Sequence, residues 1–556
     1  LKVSSTVRAA RGHIAALPTV ALVAGFFLVP LGMMVAYSFG TQAFLAVDVS
    51  IGPTLEQYER VFSSEFMPTV IRTLVMAVGT AIACVVIGFP LAYLIARRAG
   101  KYEGLLLILI LIPFWTSFLI RTYAWTNILG IGGPVNDVLL GLGIVDAPLQ
   151  MLNSEFAVAV GMVSAYLPFA VLPMYAVLRS LDDETLTAAA DLGASPLTVL
   201  RKITIPLSSA GIVVGFILVL IPAMGEFVVP QILGGGKTLL LGNAIATQFG
   251  SSFNWPLGSA LAVVGLILVS LIALAVSMTR RTAAMDDRAS NRTDDRPTMG
   301  IGSGFLMALF LCFLYLPIAI VVINAFNADE TLSSWGGFTT QWITQVVADE
   351  DFRRALEGSL KLSGFSTALS LAVGTSFALW LARNGARFRK FAMPFVLGRL
   401  VFPEVVLATS LLLWLSAISF PIGMQAAVIG QTLLNSALVT IVVTARLDGR
   451  GRATDEAAAD LYANAWQRTL KVTLPEIAPA IAAAGLLVFT LCIDDVVLPF
   501  FLAGGEYLTL PVLILSKIRF AIGPEVNAIA LLMMLVTAIP LAIALWMRKH
   551  IVPEGD

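Results

Sequence analysis

Long apolar runs separated by short polar stretches fill this chain from end to end, and their length sets the first expectation. Spanning a bilayer core takes roughly 20 mostly apolar residues in a helix. Twelve stretches meet that measure, at about 15–38, 69–96, 104–129, 156–178, 208–232, 257–279, 303–326, 358–382, 391–419, 423–445, 479–503 and 526–547. The first has no small-residue cleavage pattern before the polar loop that follows, so it reads as a retained helix and not a signal peptide. The most polar stretch of the chain separates the sixth span from the seventh, within 280–300, and reads as a linker. Six spans return a chain to its starting side, so the modules 1–279 and 301–556 share one orientation. The expected fold is an all-α integral membrane protein, two six-helix modules in parallel repeat with about 12 transmembrane helices in total.

Composition excludes a water-soluble alternative. Of the 556 residues 58% are hydrophobic and 13% charged, against roughly 45–50% and about 25% in soluble domains. The 35 basic and 35 acidic residues balance, which points away from nucleic acid. Cys84, Cys312 and Cys492 lie far apart inside apolar runs, and His13 and His550 sit at opposite ends, so no metal or catalytic site is expected. Basic residues also orient the spans. With both termini on the cytoplasmic side, that side collects 25 Lys and Arg and the opposite face nine, Arg399 falling inside a span. The 280–300 linker is then cytoplasmic.

A repeat appears between the fourth and fifth spans of each module. Thr187-Ala-Ala-Ala-Asp-Leu-Gly193, nine residues, then Ile203-Thr-Ile-Pro206 is matched by Glu456-Ala-Ala-Ala-Asp-Leu-Tyr462, nine residues, then Val472-Thr-Leu-Pro475. Thr187 and Glu456 are 269 positions apart, and so are Pro206 and Pro475. Each copy reads as a short helix, a turn and a second short helix, with Gly193 and Pro196 making the break in the first. Alanines on one helix face admit a close partner. Flanking acids (Asp182, Asp183, Glu184; Asp455, Glu456) and bases (Arg201, Lys202; Arg468, Lys471) suit a polar one.

This pattern resembles the EAA loop of binding-protein-dependent ABC importer permeases, whose form is Glu-Ala-Ala, three residues, Gly, nine residues and Ile-x-Leu-Pro. The resemblance implies a type I ABC importer permease fold for each module. It also implies that the loops at about 182–206 and 451–475 seat coupling helices in the clefts of ATPase subunits. Carried over position by position, the coupling residues are Thr187, Ala188, Ala189, Asp191, Gly193 and Pro206, then Glu456, Ala457, Ala458, Asp460, Tyr462 and Pro475. Thr187 stands where the first Glu is expected, which removes a docking charge. Tyr462 stands where the Gly is expected, and Tyr tolerates left-handed backbone angles poorly, so an altered turn is expected there.

The resemblance covers almost the whole chain. Pro113–Trp125 and Gly225–Gly234 resemble the first spermidine/putrescine permease subunit, Asp494–Pro499 and Ser516–Asn527 the second. Those are usually separate chains, so an in-frame fusion is implied. Iron(III) and phosphonate permeases share the loop, and their cargoes are the alternatives. The implied partners are two copies of a cytoplasmic ABC ATPase subunit and an extracytoplasmic solute-binding protein, in a bacterial cytoplasmic membrane. No cofactor is implied in this chain, since ATP and Mg belong to the ATPase.

Ionisable residues within spans are costly unless they face a polar interior. Glu226 and Asp495 are again 269 apart, each 20 residues past its motif proline, which a continuous helix would carry roughly 30 Å across the membrane. Asp494 adjoins Asp495, and Glu404 follows Pro403 in another span. Four such carboxylates suit a polyamine, and Trp115, Tyr123 and Trp125 could add cation–π contacts of about 0.5–2 kcal/mol each. The competing readings are helix capping at breaks, or pairing with Arg121 or Arg399, for the carboxylates, and interfacial anchoring for the aromatics. Gly234-Gly-Gly-Lys-Thr238 lacks the leading Gly of a phosphate-binding loop, position 231 being Gln, and reads as a turn. A proton-coupled secondary transporter would work without any ATPase, and a membrane-bound enzyme would need a catalytic cluster that the sequence does not show.

Overall fold

The structure is a computed structural model. It describes residues 17–42, 49–278, 300–332, 334–383, 389–390, 392–393, 395–396, 398, 402–449, 453–505, 507–520 and 523–551. The 280–300 linker, apart from residue 300, lies outside the described residues, as do Arg399 and part of the ninth expected span.

Helix dominates because the apolar runs leave backbone amides no water to bond, and a helix satisfies them within one segment. Seven described helices are long and apolar enough to cross a membrane, or eight if one bent pair counts as a span. Three shorter apolar helices, Ala21–Tyr37, Glu404–Ala417 and Pro524–Pro540, accompany them. Several expected spans are therefore discontinuous. The third divides into Glu103–Leu111 and Phe118–Leu129, parted by a 3-10 turn at Ile112–Trp115 and an extended Thr116.

Seven elements of the first half recur in the second. They are α1 (Met67–Arg98), α2 (Glu155–Ser180), α3 (Asp183–Asp191), α4 (Pro196–Val199), α5 (Ser209–Met224), α6 (Val228–Leu233) and α7 (Leu241–Phe249). Their counterparts are α8 (Glu350–Arg383), α9 (Met424–Asp448), α10 (Ala453–Asp460), α11 (Ala465–Arg468), α12 (Leu474–Asp494), α13 (Val497–Leu502) and α14 (Leu510–Phe520).

Packing groups the chain into two compact units, one of 1–36, 344–517 and 532–556, the other of 37–343 and 518–531. Repeat and packing divide the chain differently, because the first helix of each half sits in the unit built mainly from the other. In one unit Thr19 donates to the Val373 carbonyl on α8 at 3.1 Å. In the other, Tyr315, on the helix Ile301–Asn324, donates to the Leu109 carbonyl at 2.8 Å.

Each unit has a three-helix centre with small residues among its contacts. Gly211 and Gly215 of α5 lie against the α2 backbone, where added Cβ atoms would meet the Pro173 and Ala170 carbonyl oxygens at 2.8 and 2.9 Å. In the other unit Ala378, Val439, Val443, Ile477, Ala484, Val488 and Cys492 form one buried cluster across α8, α9 and α12. Small interfacial residues replace the missing hydrophobic drive between helices in lipid with close van der Waals contact.

Candidate functional site

The two motif loops follow the same backbone path. After α3, the Ala194 amide reaches back to the Ala189 carbonyl at 3.1 Å; after α10, the Ala463 amide reaches Ala458 at 3.0 Å. These are the six-residue closures that end a helix through one left-handed residue. Gly193 takes that place with φ +82°, and Tyr462 takes it with φ +61°. The altered turn expected at Tyr462 is not what forms: the turn is kept, and Tyr adopts the angle that glycine takes freely, at a cost of about 1–2 kcal/mol.

The second short helices are capped alike. Ser195 accepts from the Thr198 amide at 3.3 Å, and Asn464 from the Gln467 amide at 2.8 Å. Each then widens into a π turn, Leu200–Thr204 and Thr469–Thr473. At its end Thr204 donates to the Val199 carbonyl at 3.4 Å, and Thr473 to the Arg468 carbonyl at 3.3 Å. Every one of these features is displaced by 269 residues. Thr187 turns its hydroxyl back onto its own helix, to the Asp183 and Glu184 carbonyls at 3.0 and 3.1 Å.

The loops differ just beyond. Pro196–Leu207 and α5 meet at a 65° bend, whereas Ala465–Asp494 continues as one span. Ser208 stands at the bend and donates to the Thr204 carbonyl at 2.6 Å, a back-bond that bends helices. Its counterpart, Ile477, is wholly buried and carries no hydroxyl. The straight path expected from Pro206 to Glu226 is thus broken in the first half.

Leu192 and Leu461 are 89% and 81% exposed at matching positions, as are Leu197 and Trp466 at 60% and 70%. Tyr462 is 96% exposed. Apolar side chains this bare, at the same positions of two loops rimmed with charge, form a surface that needs a partner.

Glu226 and Asp495 sit where their spans break, just before α6 and α13. Glu226 accepts from the Val228 and Val229 amides at 2.8 and 3.1 Å and from the Tyr166 hydroxyl of α2. Asp495 accepts from the Leu498 amide at 3.2 Å and from Gln431 Nε2 of α9 at 3.1 Å. Each carboxylate therefore caps a short helix, and in each half the fourth span supplies the side-chain donor. Tyr166 and Gln431 were not among the expected residues. No signal in the sequence sets them apart from the other polar residues of the same spans.

Glu404 opens the helix Glu404–Ala417 and Asp494 closes α12. Tyr123 and Trp125 are buried in Phe118–Leu129. Asn527 donates to Tyr123 Oη at 3.3 Å, and the Trp125 ring lies 5.3 Å from Phe313. The side chain of Trp115, like that of Ala190, is outside the described ones. Gly234–Thr238 is a turn, with the Lys237 amide bonded to the Gly234 carbonyl at 3.0 Å. Among the described residues no three His, Cys, Asp or Glu side chains gather as a metal site.

Residues 85–283 and 374–554 each match the family described as binding-protein-dependent transport system inner membrane component. Both matches contain one motif loop with its flanking spans. The chain belongs to this family. It is a multi-pass membrane protein and a transport component, not an enzyme. Among curated relatives, the spermidine/putrescine permease protein PotB of Haemophilus influenzae is 40% identical over 44% of this chain and 86% of its own length. PotB of Escherichia coli is 39% identical over 45% and 90%. PotC of Escherichia coli is 31% identical over 42% and 89%. Matches to both proteins, each spanning under half of this chain and nearly all of the relative, fit two permease modules in one polypeptide. A bacterial ABC transporter involved in alginate import superposes on 51% of the chain with a TM-score of 0.41 at 17% identity, too loose a likeness to carry a conclusion.

Proposed function

We propose that the chain is the membrane-spanning part of an ABC importer for polyamines such as spermidine or putrescine, working by alternating access. The observation that carries this reading is the pair of motif loops, alike in backbone and exposing the same apolar positions. A cytoplasmic ATPase copy docks at each loop, with Leu192 and Leu197, or Leu461 and Trp466, entering its surface. The coupling residues are Thr187, Ala188, Ala189, Asp191, Gly193 and Pro206, and Glu456, Ala457, Ala458, Asp460, Tyr462 and Pro475. Both termini face the cytoplasm, and a solute-binding protein delivers cargo to the opposite face. The ATPases can shift the permease between states only through contacts that differ between those states.

The cargo assignment rests on the names of the relatives and on the chemistry of the spans. Ammonium groups that lose water need carboxylate partners, and Glu226, Asp494, Asp495 and Glu404 supply four along the pathway, flanked by Trp115, Tyr123 and Trp125. In the geometry described, Glu226 and Asp495 are occupied as caps. A pathway role requires that they exchange Tyr166 and Gln431 for substrate ammonium as the halves rearrange. The test is uptake of labelled polyamine by vesicles carrying the chain, its ATPase and its binding protein. Replacing Glu226 with Gln and Asp495 with Asn together should abolish uptake while the complex still assembles. Full uptake by the assembled double variant would remove the pathway role.

A further inference from the structure

The second long helix of each half touches three things in the same order. On α1, Thr73 accepts the Leu241 amide at the start of α7, at 2.8 Å. Further along, Gly88 lies against α2, where an added Cβ would meet Met174 and Val171 side chains at 3.0 and 3.1 Å. At its end Arg97 pairs with Asp183 of α3 and donates to the Leu181 carbonyl at 2.7 Å. On α8, Ser359 accepts the Leu510 amide at the start of α14, at 2.8 Å. Gly374 lies against α9, where a Cβ would meet the Ser436 carbonyl oxygen at 2.7 Å. Arg383 donates to Thr469 in the π turn of the second loop.

Thr73 and Ser359, Gly88 and Gly374, and Arg97 and Arg383 are each 286 positions apart. The loops and their following spans repeat at 269, so the long helices repeat at a different spacing from the loops. None of the six residues lies in the motif. Both helices run unbroken through their three contacts, and 24 residues separate first contact from last in each, about 36 Å of helix.

We propose that α1 and α8 are transmission rods, and that Thr73, Arg97, Ser359 and Arg383 are positioning residues that tie each motif loop to a helix at the opposite end of the span. The proposal rests on the reading that ATPases dock at the loops. A helix is stiff along its axis, so a loop held by its arginine cannot shift without moving the rod. The rod's hydroxyl then carries the start of α7 or α14 with it. In the first half the connection goes one step further: a Cβ added at Gly242 in α7 would meet the Glu226 carbonyl oxygen at 2.6 Å, so α7 bears on the break that holds the buried carboxylate. A hydroxyl suits the far contact because it gives the first, otherwise orphaned amide of α7 or α14 a partner within the membrane. In the first half the planar fork of the arginine reaches two acceptors at once, Asp183 and the Leu181 carbonyl.

The test uses the whole complex in vesicles, with uptake and ATP hydrolysis measured on the same sample. One variant carries Thr73→Val with Ser359→Ala, two small changes remote from the loops. The other carries Arg97→Gln with Arg383→Gln. Both should still co-purify with the ATPase and hydrolyse ATP within about twofold of the parent, while polyamine moved per ATP falls at least about fivefold, the low end of measured coupling between sites. An unchanged transport ratio would overturn the proposal. So would a parallel loss of uptake, hydrolysis and assembly in both variants, since packing damage alone produces that. If the parent chain itself neither binds the ATPase nor transports, the docking reading fails instead, and the two failures are told apart by that control.

Discussion

Tyr462 bears the sharpest residue-scale consequence. It holds φ +61° where its counterpart Gly193 holds +82°, and its ring is almost wholly exposed. The backbone alone favours glycine there by about 1–2 kcal/mol, a cost that the docking contact proposed for this loop would offset. Tyr462→Gly should leave the turn intact and weaken ATPase retention, read as faster loss of the ATPase on a column at raised salt. Retention equal to the parent would assign Tyr462 no contact. Glu226 makes a second case. Replacing it with Ala removes the side-chain acceptor of the Val228 and Val229 amides that caps α6, a loss of about 1–3 kcal/mol. Thermal unfolding in detergent should show the lower midpoint, with Glu226→Gln falling between Ala and parent because its amide oxygen still accepts.

Among the elements, the bend at Ser208 separates the halves. Ser208→Ile copies the second half and removes the back-bond to Thr204, so it should straighten the first loop's exit and change uptake without changing assembly. Unaltered uptake would mean that the bend has no part in transport. The loops were legible in the sequence because an identical spacing at 269 survives any single substitution. The discontinuities at Thr116, Ser208 and Glu226 were not, because an apolar window reads the same whether its helix is straight or broken. The carboxylates were visible as costly residues, and capping at breaks was one reading of them; the sequence did not decide for it, because a cap depends on the break after it, and the break is set by packing. Tyr166 and Gln431 look in sequence like any other polar residue in a span. Arg97 and Arg383 count there only as two more cytoplasmic charges.

The whole molecule is a two-fold sequence repeat whose first helices have changed places in the packing. Each unit combines a motif loop, a long helix and a capped break. Bulky charged residues at Ala188 and Ala457 should prevent docking at both loops and abolish uptake, with the chain still inserted and folded. The most direct measurement is polyamine uptake by vesicles that hold the chain, the ATPase and the binding protein, with ATP supplied or withheld. Accumulation that requires ATP, ATPase and binding protein together, and disappears in the Ala188/Ala457 variant, is the predicted result. Equal uptake driven by a proton gradient in vesicles lacking the ATPase would contradict the account.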